Sequence, residues 1–120
     1  MAIGWQRAEG ALIFIGAVAM FLWLDGPQPW WAAVLLFFAP DLSFAGYLAG
    51  PRVGAVIYNA VHIYAFGIVI GALGLILSVP VMMALGALWL AHSGLDRALG
   101  YGLKLSTGFQ DTHLGRIGRS

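Results

Sequence analysis

Residues 30–62 read WWAAVLLFFAPDLSFAGYLAGPRVGAVIYNAVH, and the arrangement of the helices is predicted most directly from them. An apolar run of eleven residues leads to Asp41, and the apolar sequence resumes directly after it. The Gly-Pro pair at 50–51 predicts a turn, after which a second apolar stretch carries His62. Since a helix needs about 20 mostly apolar residues to cross a membrane, the stretch predicts two antiparallel transmembrane helices with ionisable side chains inside them.

Composition is typical of a membrane protein over the whole chain. Hydrophobic residues make up 61% of the 120 residues and charged residues 9%, against about 45–50% and about 25% in soluble domains. The mean hydropathy is +0.87. So few charges cannot cover the surface of a soluble domain, which excludes a water-soluble enzyme. The net charge of +1 excludes a basic surface for nucleic acid, and the absence of cysteine excludes disulfides, thiolate metal sites and cysteine nucleophiles.

Four membrane-crossing helices are predicted, so the expected fold is an all-α integral membrane bundle. The approximate bounds of the helices are residues 8–24, 30–47, 52–77 and 79–99. The third would be roughly 37 Å long at 1.5 Å per residue, so it should tilt or extend past the hydrocarbon core. Ser78 is expected to cap the fourth helix, with Pro80 in its first turn. Short linkers favour an up-and-down arrangement of neighbouring helices.

Positive charge is concentrated at one end of the predicted bundle. If the N-terminus is cytoplasmic, that side receives every basic residue. These are Arg7, Arg52, Arg97, Lys104, Arg116 and Arg119. The positive-inside rule therefore predicts that both termini lie in the cytoplasm.

Ionisable side chains within the predicted spans define a candidate site in the cytoplasmic half. Asp41 lies roughly 13 Å inside the end of its helix at 1.5 Å per residue, and His62 lies at a similar depth on the next helix. A charge at the centre of a span costs about 2.5–3.5 kcal/mol, so it should face the bundle and have a partner. Further polar residues are expected close by. They are Tyr58, Asn59, His92, Asp96 and Glu9.

Three interpretations of this cluster remain open. The first is a structural polar network in a non-enzymatic membrane subunit, although interhelical hydrogen bonds contribute only about 0.6 kcal/mol on average. The second is a site for zinc, iron or manganese, with Asp41, His62, His92 and Asp96 as ligands and Glu9 as a candidate fifth ligand. The third is a small oligomeric transporter of protons or ions.

The second interpretation would allow catalysis, as a metal-dependent hydrolase or oxidase at the membrane. A metal ion with an open coordination position activates water or binds oxygen. Asp96, at the inner interface, would then be the candidate general base. Membrane lipid is the expected partner, together with a second copy of the chain or a larger membrane complex. The sequence names neither a substrate nor a reaction.

The residues after Leu99 allow two interpretations. Their glycines argue against a rigid helix beyond about Lys104, yet the segment is less polar than a typical disordered tail. Folded back, it would bring Asp111 and His113 to the inner mouth of the bundle. Otherwise it is a loosely attached tail with a local turn.

Three motifs carry a resemblance to a known family. They are YNxxH at 58–62, GLDRxLGYGLK at 94–104 and TGFxDTHLG at 107–115. With these motifs the chain resembles a small bacterial integral membrane family, catalogued as a domain of unknown function with about four predicted spans. The resemblance implies a bacterial inner-membrane protein in which the segment over residues 100–115 folds back as part of one membrane domain over residues 1–115. The basic residues beyond it predict a short basic tail over 116–120. It implies no activity.

Overall fold

Helices make up most of the computed structural model, which describes residues 2–26, 28–104 and 111–116. The described helices are α1 (Ala2–Leu24), α2 (Trp30–Phe37), α3 (Pro51–His62), α4 (Tyr64–Leu77) and α5 (Pro80–Leu99), with a 3-10 helix (Ala39–Ala49) between α2 and α3. Two short strands, β1 (Asp111–Thr112) and β2 (Gly115–Arg116), pair antiparallel near the C-terminus. Because each of these strands has only two residues, the prediction of an all-α fold is confirmed.

Helix α5 lies at the centre of the molecule and packs against α1, α2, α4 and the 3-10 helix. Glycines allow the closest approaches. A Cβ atom at Gly86 would collide with the backbone of Gly71 on α4, and one at Gly94 would lie 2.7 Å from the carbonyl oxygen of Gly10 on α1. Helices α1 and α4 thus pack on α5 through small residues, as closely packed membrane helices commonly do.

Large apolar side chains cover much of the outer surface. Trp23, Trp30, Leu42, Leu48 and Ile76 each expose at least 75% of their surface. A soluble monomer rarely exposes large continuous apolar patches. The surface is therefore compatible with a lipid environment.

Length and composition identify two candidate membrane spans in the described part of the chain, or three if a bent pair is one span. Ala2–Leu24 and Trp30–Ala49 qualify individually, and α3 with α4 qualify together across a bend of 48°. Helix α5 is not among these candidates, because its last turns are rich in polar residues. The number of four spans and the orientation of the termini remain predictions.

The predicted third helix consists of two helices, α3 and α4, which meet at Ile63. The backbone of Ile63 is extended, with φ −80° and ψ 151°, and this ends α3. Two side chains of α5 bind carbonyl groups next to the break: Trp89 Nε1 donates to Val61 at 2.6 Å, and Arg97 Nη2 donates to His62 at 2.9 Å. The prediction of one continuous helix is wrong, because side chains distant in sequence replace its hydrogen bonds.

The predicted second helix changes type at its middle. Helix α2 ends at Phe37, and the chain continues as a 3-10 helix with Pro40 in its first turn. Since proline has no N–H group, it cannot donate an α-helical hydrogen bond. The change brings Asp41 into the first turn of the 3-10 helix, beside α5.

The turn between α4 and α5 also differs from the prediction. Ser78 ends α4 in the left-handed conformation, with φ 58° and ψ 43°. Val79 precedes α5 and makes no side-chain cap, while Pro80 lies in the first turn. The predicted cap at Ser78 is therefore wrong, and the predicted position of Pro80 is confirmed.

Candidate functional site

Four side chains from three helical elements form one compact group. Asp41 comes from the 3-10 helix, His62 from α3, and His92 and Asp96 from α5; each offers one ligand atom, and these atoms lie within 4.8 Å of one another. His92 Nε2 lies 3.1 Å from Asp41 Oδ1 and 3.3 Å from Asp96 Oδ2. His62 Nε2 lies 3.5 Å and 3.7 Å from the same two oxygens. We call these four residues the His/Asp cluster.

Local structure explains why the four residues meet. His92 and Asp96 are four residues apart and therefore share one face of α5. The turn at 50–51 makes the 3-10 helix and α3 antiparallel neighbours, so Asp41 and His62 face each other near the other end of this hairpin. The sequence spacing thus positions both pairs, and the packing against α5 joins them.

Burial differs across the cluster. The side chains of His62 and His92 are 0% and 3% exposed, whereas Asp96 is 14% and Asp41 is 34% exposed. The imidazoles are therefore enclosed by protein. Asp41 is the most exposed member of the cluster.

Hydrogen bonding determines which nitrogen of His62 faces the carboxylates. Nδ1 lies 2.8 Å from the carbonyl oxygen of Tyr58, and since a carbonyl only accepts, Nδ1 carries the proton of the neutral ring. Nε2 is buried without a hydrogen-bond partner among the described residues, and it faces the oxygens of Asp41 and Asp96. Histidine ligands of metal ions commonly have this arrangement, in which one nitrogen bonds a carbonyl and the other is free to bind the metal.

His92 has a less complete set of hydrogen bonds. Its Nε2 pairs with Asp41 Oδ1, while its buried Nδ1 has no partner in the described structure. The rings of Phe37 and Phe38 contact the imidazole edge to face, with centroids 5.3 Å and 6.3 Å away. These rings exclude water from one side of His92.

Tyr58 contacts two members of the cluster. Its ring is stacked on His62, with centroids 3.7 Å apart and planes 9° apart. Its hydroxyl donates to Asp96 Oδ2 at 3.4 Å, and its carbonyl accepts from His62 Nδ1. Tyr58 therefore helps to orient both an imidazole and a carboxylate.

Asn59 does not enter the cluster but binds the C-terminal segment. Its Nδ2 donates to the carbonyl of Lys104 at 2.8 Å, and its Oδ1 accepts from the backbone N–H of Lys104 at 2.6 Å. The Lys104 ammonium lies 4.9 Å from the ring centroid of Tyr58, a cation–π distance. Burial lowers the pKa of Lys104, and the nearby carboxylates of Asp96 and Asp41 act in the opposite direction.

The other predicted site residues lie elsewhere. Glu9 is exposed on α1 and is not a member of the His/Asp cluster. His113 donates from Nε2 to Gln6 Oε1 at 2.7 Å and accepts the Leu103 N–H at Nδ1 at 2.8 Å, so it ties the C-terminal segment to α1. The side chain of Asp111 is outside the described residues.

The structural role of Arg97 was not predictable from its position as a basic residue at the interface. Arg97 is 5% exposed, and its guanidinium donates to the carbonyls of His62 and Tyr101 at 2.9 Å and 3.0 Å. Its position directly after Asp96, inside the GLDRxLGYGLK motif, was the available signal. The missing information was that a helix break would leave a carbonyl for it to bind.

Comparison with known proteins agrees with the resemblance carried by the three motifs. The family model described as Domain of unknown function (DUF4260) matches residues 4–117, a range that includes the whole His/Asp cluster. No match to the chain was found among the curated proteins or among the solved structures. The chain therefore belongs to the family described as Domain of unknown function (DUF4260).

Proposed function

We propose that the protein is a membrane-embedded metal protein in which the His/Asp cluster binds one divalent transition-metal ion. The observation that carries the proposal is that each of two imidazole nitrogens lies 3.1–3.7 Å from each of two carboxylate oxygens. In a tetrahedral zinc site with bonds of about 2.0–2.1 Å, neighbouring ligand atoms are roughly 3.3 Å apart. The four nitrogen–oxygen separations bracket this value, whereas all six pairs of ligand atoms lie within 4.8 Å of one another, so the side chains would have to close in on a single ion placed between them.

Charge balance supports a divalent ion. Asp41 and Asp96 are two carboxylates in contact with two buried imidazoles, and burying charge without compensation is costly. With the Nδ1 proton donated to the Tyr58 carbonyl, His62 would present the lone pair of Nε2 to an ion bound beside these carboxylates. A dication bound between the four groups would balance the two negative charges and accept the lone pair of Nε2.

Two nitrogen and two oxygen ligands suit zinc, iron or manganese. Zinc would be four-coordinate and closed, as in structural zinc sites. Iron or manganese would accept further ligands, and a water bound there would serve a metal-dependent hydrolase or oxidase. In this arrangement Asp96 binds the ion, so it is not also a free general base.

We place this site in the inner half of a bacterial inner membrane, with both termini in the cytoplasm and lipid as the surrounding partner. The apolar surface supports a membrane environment. The basic end supports the orientation, because Arg7 Nε bonds the carbonyl of Ala98 next to Arg97 at 3.0 Å, and Lys104 follows nearby. The cluster lies one to two helical turns from this end of α5.

The proposal is tested by measuring bound metal in protein purified in detergent. We expect about one zinc, iron or manganese ion per chain by elemental analysis, and loss of most of it in His62→Ala. His113→Ala is the matched control and should retain the metal, because His113 lies outside the cluster. Metal-free wild-type protein, or equal losses in the two variants, would contradict the proposal.

A second candidate is a structural polar core in a non-enzymatic subunit that assembles with a second copy or a larger membrane complex. The observation in its favour is the direct pairing of His92 Nε2 and Asp41 Oδ1 at 3.1 Å, which needs no ion. This candidate is supported if the purified protein is metal-free and His62→Ala folds with lower stability.

Transport of a proton or metal ion is a third candidate. It is supported by the break between α3 and α4 beside the cluster, because discontinuous helices often line ion sites in transporters. Against it, the cavity of about 470 Å³ between α1, α4 and α5, towards the other end of the bundle, is lined by apolar residues and glycines. Ion flux into liposomes that is lost in Asp41→Asn would favour transport.

A further inference from the structure

A strap over residues 101–104, directly after α5, is held against the last turn of α3. Asn59 binds both backbone groups of Lys104, at 2.6 Å and 2.8 Å. Lys104 is only 4% exposed, so water competes poorly for these bonds. Because Asn59 lies three residues before His62, the strap is anchored on the same helical turn as a cluster histidine.

A second connection runs through Arg97. Its Nη1 donates to the carbonyl of Tyr101 in the strap, and its Nη2 donates to the carbonyl of His62. The His62 carbonyl is next to the helix break and lacks its usual helical partner. One guanidinium group therefore joins the strap to the backbone of His62.

A third connection passes through side chains. The Lys104 ammonium lies over the ring of Tyr58 at 4.9 Å, and that ring is stacked on the His62 imidazole at 3.7 Å. The strap, Tyr58 and His62 thus form successive layers. All three connections end on His62 or on the turn that carries it.

From these contacts we propose that the strap holds His62 in its metal-binding position and thereby controls how fast the metal is exchanged. The inference rests on the proposed function, because it concerns the same ion. His62 ends α3, and the backbone of Ile63 is extended. Terminal helical turns open more readily than helix interiors, so the strap supplies the restraint that a continuing helix would give. Contacts outside the ligand set typically change metal affinity by about 10–100-fold.

The test compares Asn59→Leu with Gln6→Leu in the full-length protein. Asn59→Leu removes both bonds to Lys104, whereas Gln6→Leu removes the bond between α1 and His113 and leaves all three connections to His62 intact. Release of the bound metal to excess chelator should be about tenfold faster in Asn59→Leu, the low end of the range for such contacts, and unchanged in Gln6→Leu. Equal release rates in Asn59→Leu and wild type, or equal acceleration in both variants, would overturn the inference.

A second measurement separates failure of the strap from failure of the metal proposal. Amide hydrogen exchange of residues 59–62 is measured in metal-free protein and should be faster in Asn59→Leu than in wild type. If wild-type protein binds no metal, the proposed function fails. If amide hydrogen exchange of residues 59–62 is the same in Asn59→Leu and wild type, the restraint of this turn by the strap is overturned as well. If Asn59→Leu does not fold, Asn59→Asp replaces it. This variant keeps the acceptor for Lys104 N–H and loses the donor, so a smaller acceleration is expected and none would overturn the inference.

Discussion

At the scale of single residues, the three histidines differ in which nitrogen is engaged. His62 gives its Nδ1 proton to a carbonyl and directs Nε2 at two carboxylates. His92 pairs through Nε2 and has a buried Nδ1 without a partner among the described residues. His113 accepts a backbone N–H at Nδ1 and donates from Nε2. His113 is thus held as a neutral ring by two hydrogen bonds, and protonation at Nδ1 would break one of them.

Acid is therefore expected to weaken the attachment of the C-terminal segment through His113. Burial and the Arg97 guanidinium lower the pKa of His113 below its ordinary value of 6.5. A group with a lowered pKa stabilises the folded state fully above the unfolded pKa, and this contribution decreases as the pH falls through the folded pKa.

Wild-type protein should exceed His113→Gln in melting temperature by the largest margin at about pH 7.5, and the margin should shrink towards about pH 5.5. The variant serves as the reference because every other titrating group is common to both proteins. Melting curves that shift in parallel with pH would contradict this role of His113.

Much of the candidate site was predictable at this scale, but its surroundings were not. Helical spacing and the turn at 50–51 predicted that Asp41, His62, His92 and Asp96 would lie close together. The partners of Asn59 are backbone groups of a segment distant in sequence. Periodicity carries no information about such contacts, so Asn59 was predicted to join the cluster and instead binds the strap.

At the scale of elements, the contact between α4 and α5 depends on Gly86. A methyl group at Gly86 would collide with the backbone of Gly71 and lie 2.8 Å from the Gly67 carbonyl oxygen. Backbone atoms cannot move aside as flexible side chains do, so Gly86→Ala should lower the free energy of unfolding by about 1–3 kcal/mol.

The matched control is Gly71→Ala, on the opposite side of the same interface. Its new methyl group would be 3.8 Å from the nearest atom, which is ordinary van der Waals contact. We expect a change within about 0.5 kcal/mol, measured for both variants by denaturant unfolding in detergent. Similar losses in the two variants would show that the packing at Gly86 is not specific.

Element boundaries were predictable where the sequence carries a local signal. Pro80 marked the start of α5, and Pro40 could have marked the change from α-helix to 3-10 helix. Ile63 offers no such signal, because neither glycine nor proline lies within three residues of it. The break there depends on Trp89 and Arg97, which bind the carbonyls at the end of α3, and only the tertiary structure reveals it.

Across the whole molecule, large apolar side chains are exposed on the outer helices, whereas the His/Asp cluster lies against the central helix α5. Helix α5 is the most buried of the described helices, so it needs less hydropathy than helices that expose apolar side chains, and it carries two of the four cluster residues. Hydropathy therefore identifies α1 and Trp30–Ala49 more readily than α5. This distribution explains why a count of apolar spans gives two or three when the sequence predicts four.

The orientation can be tested directly because the chain contains no cysteine. Two single-cysteine variants, Gly4→Cys near the start of α1 and Pro29→Cys before α2, place a thiol at exposed positions. If the basic end is cytoplasmic, a membrane-impermeant maleimide should label Pro29→Cys in bacterial cells whose outer membrane has been permeabilised. Gly4→Cys should be labelled only after the inner membrane is opened. Both variants must label fully in detergent, which controls for local accessibility. Labelling of Gly4→Cys before the inner membrane is opened would indicate the opposite orientation, with the His/Asp cluster in the other half of the membrane.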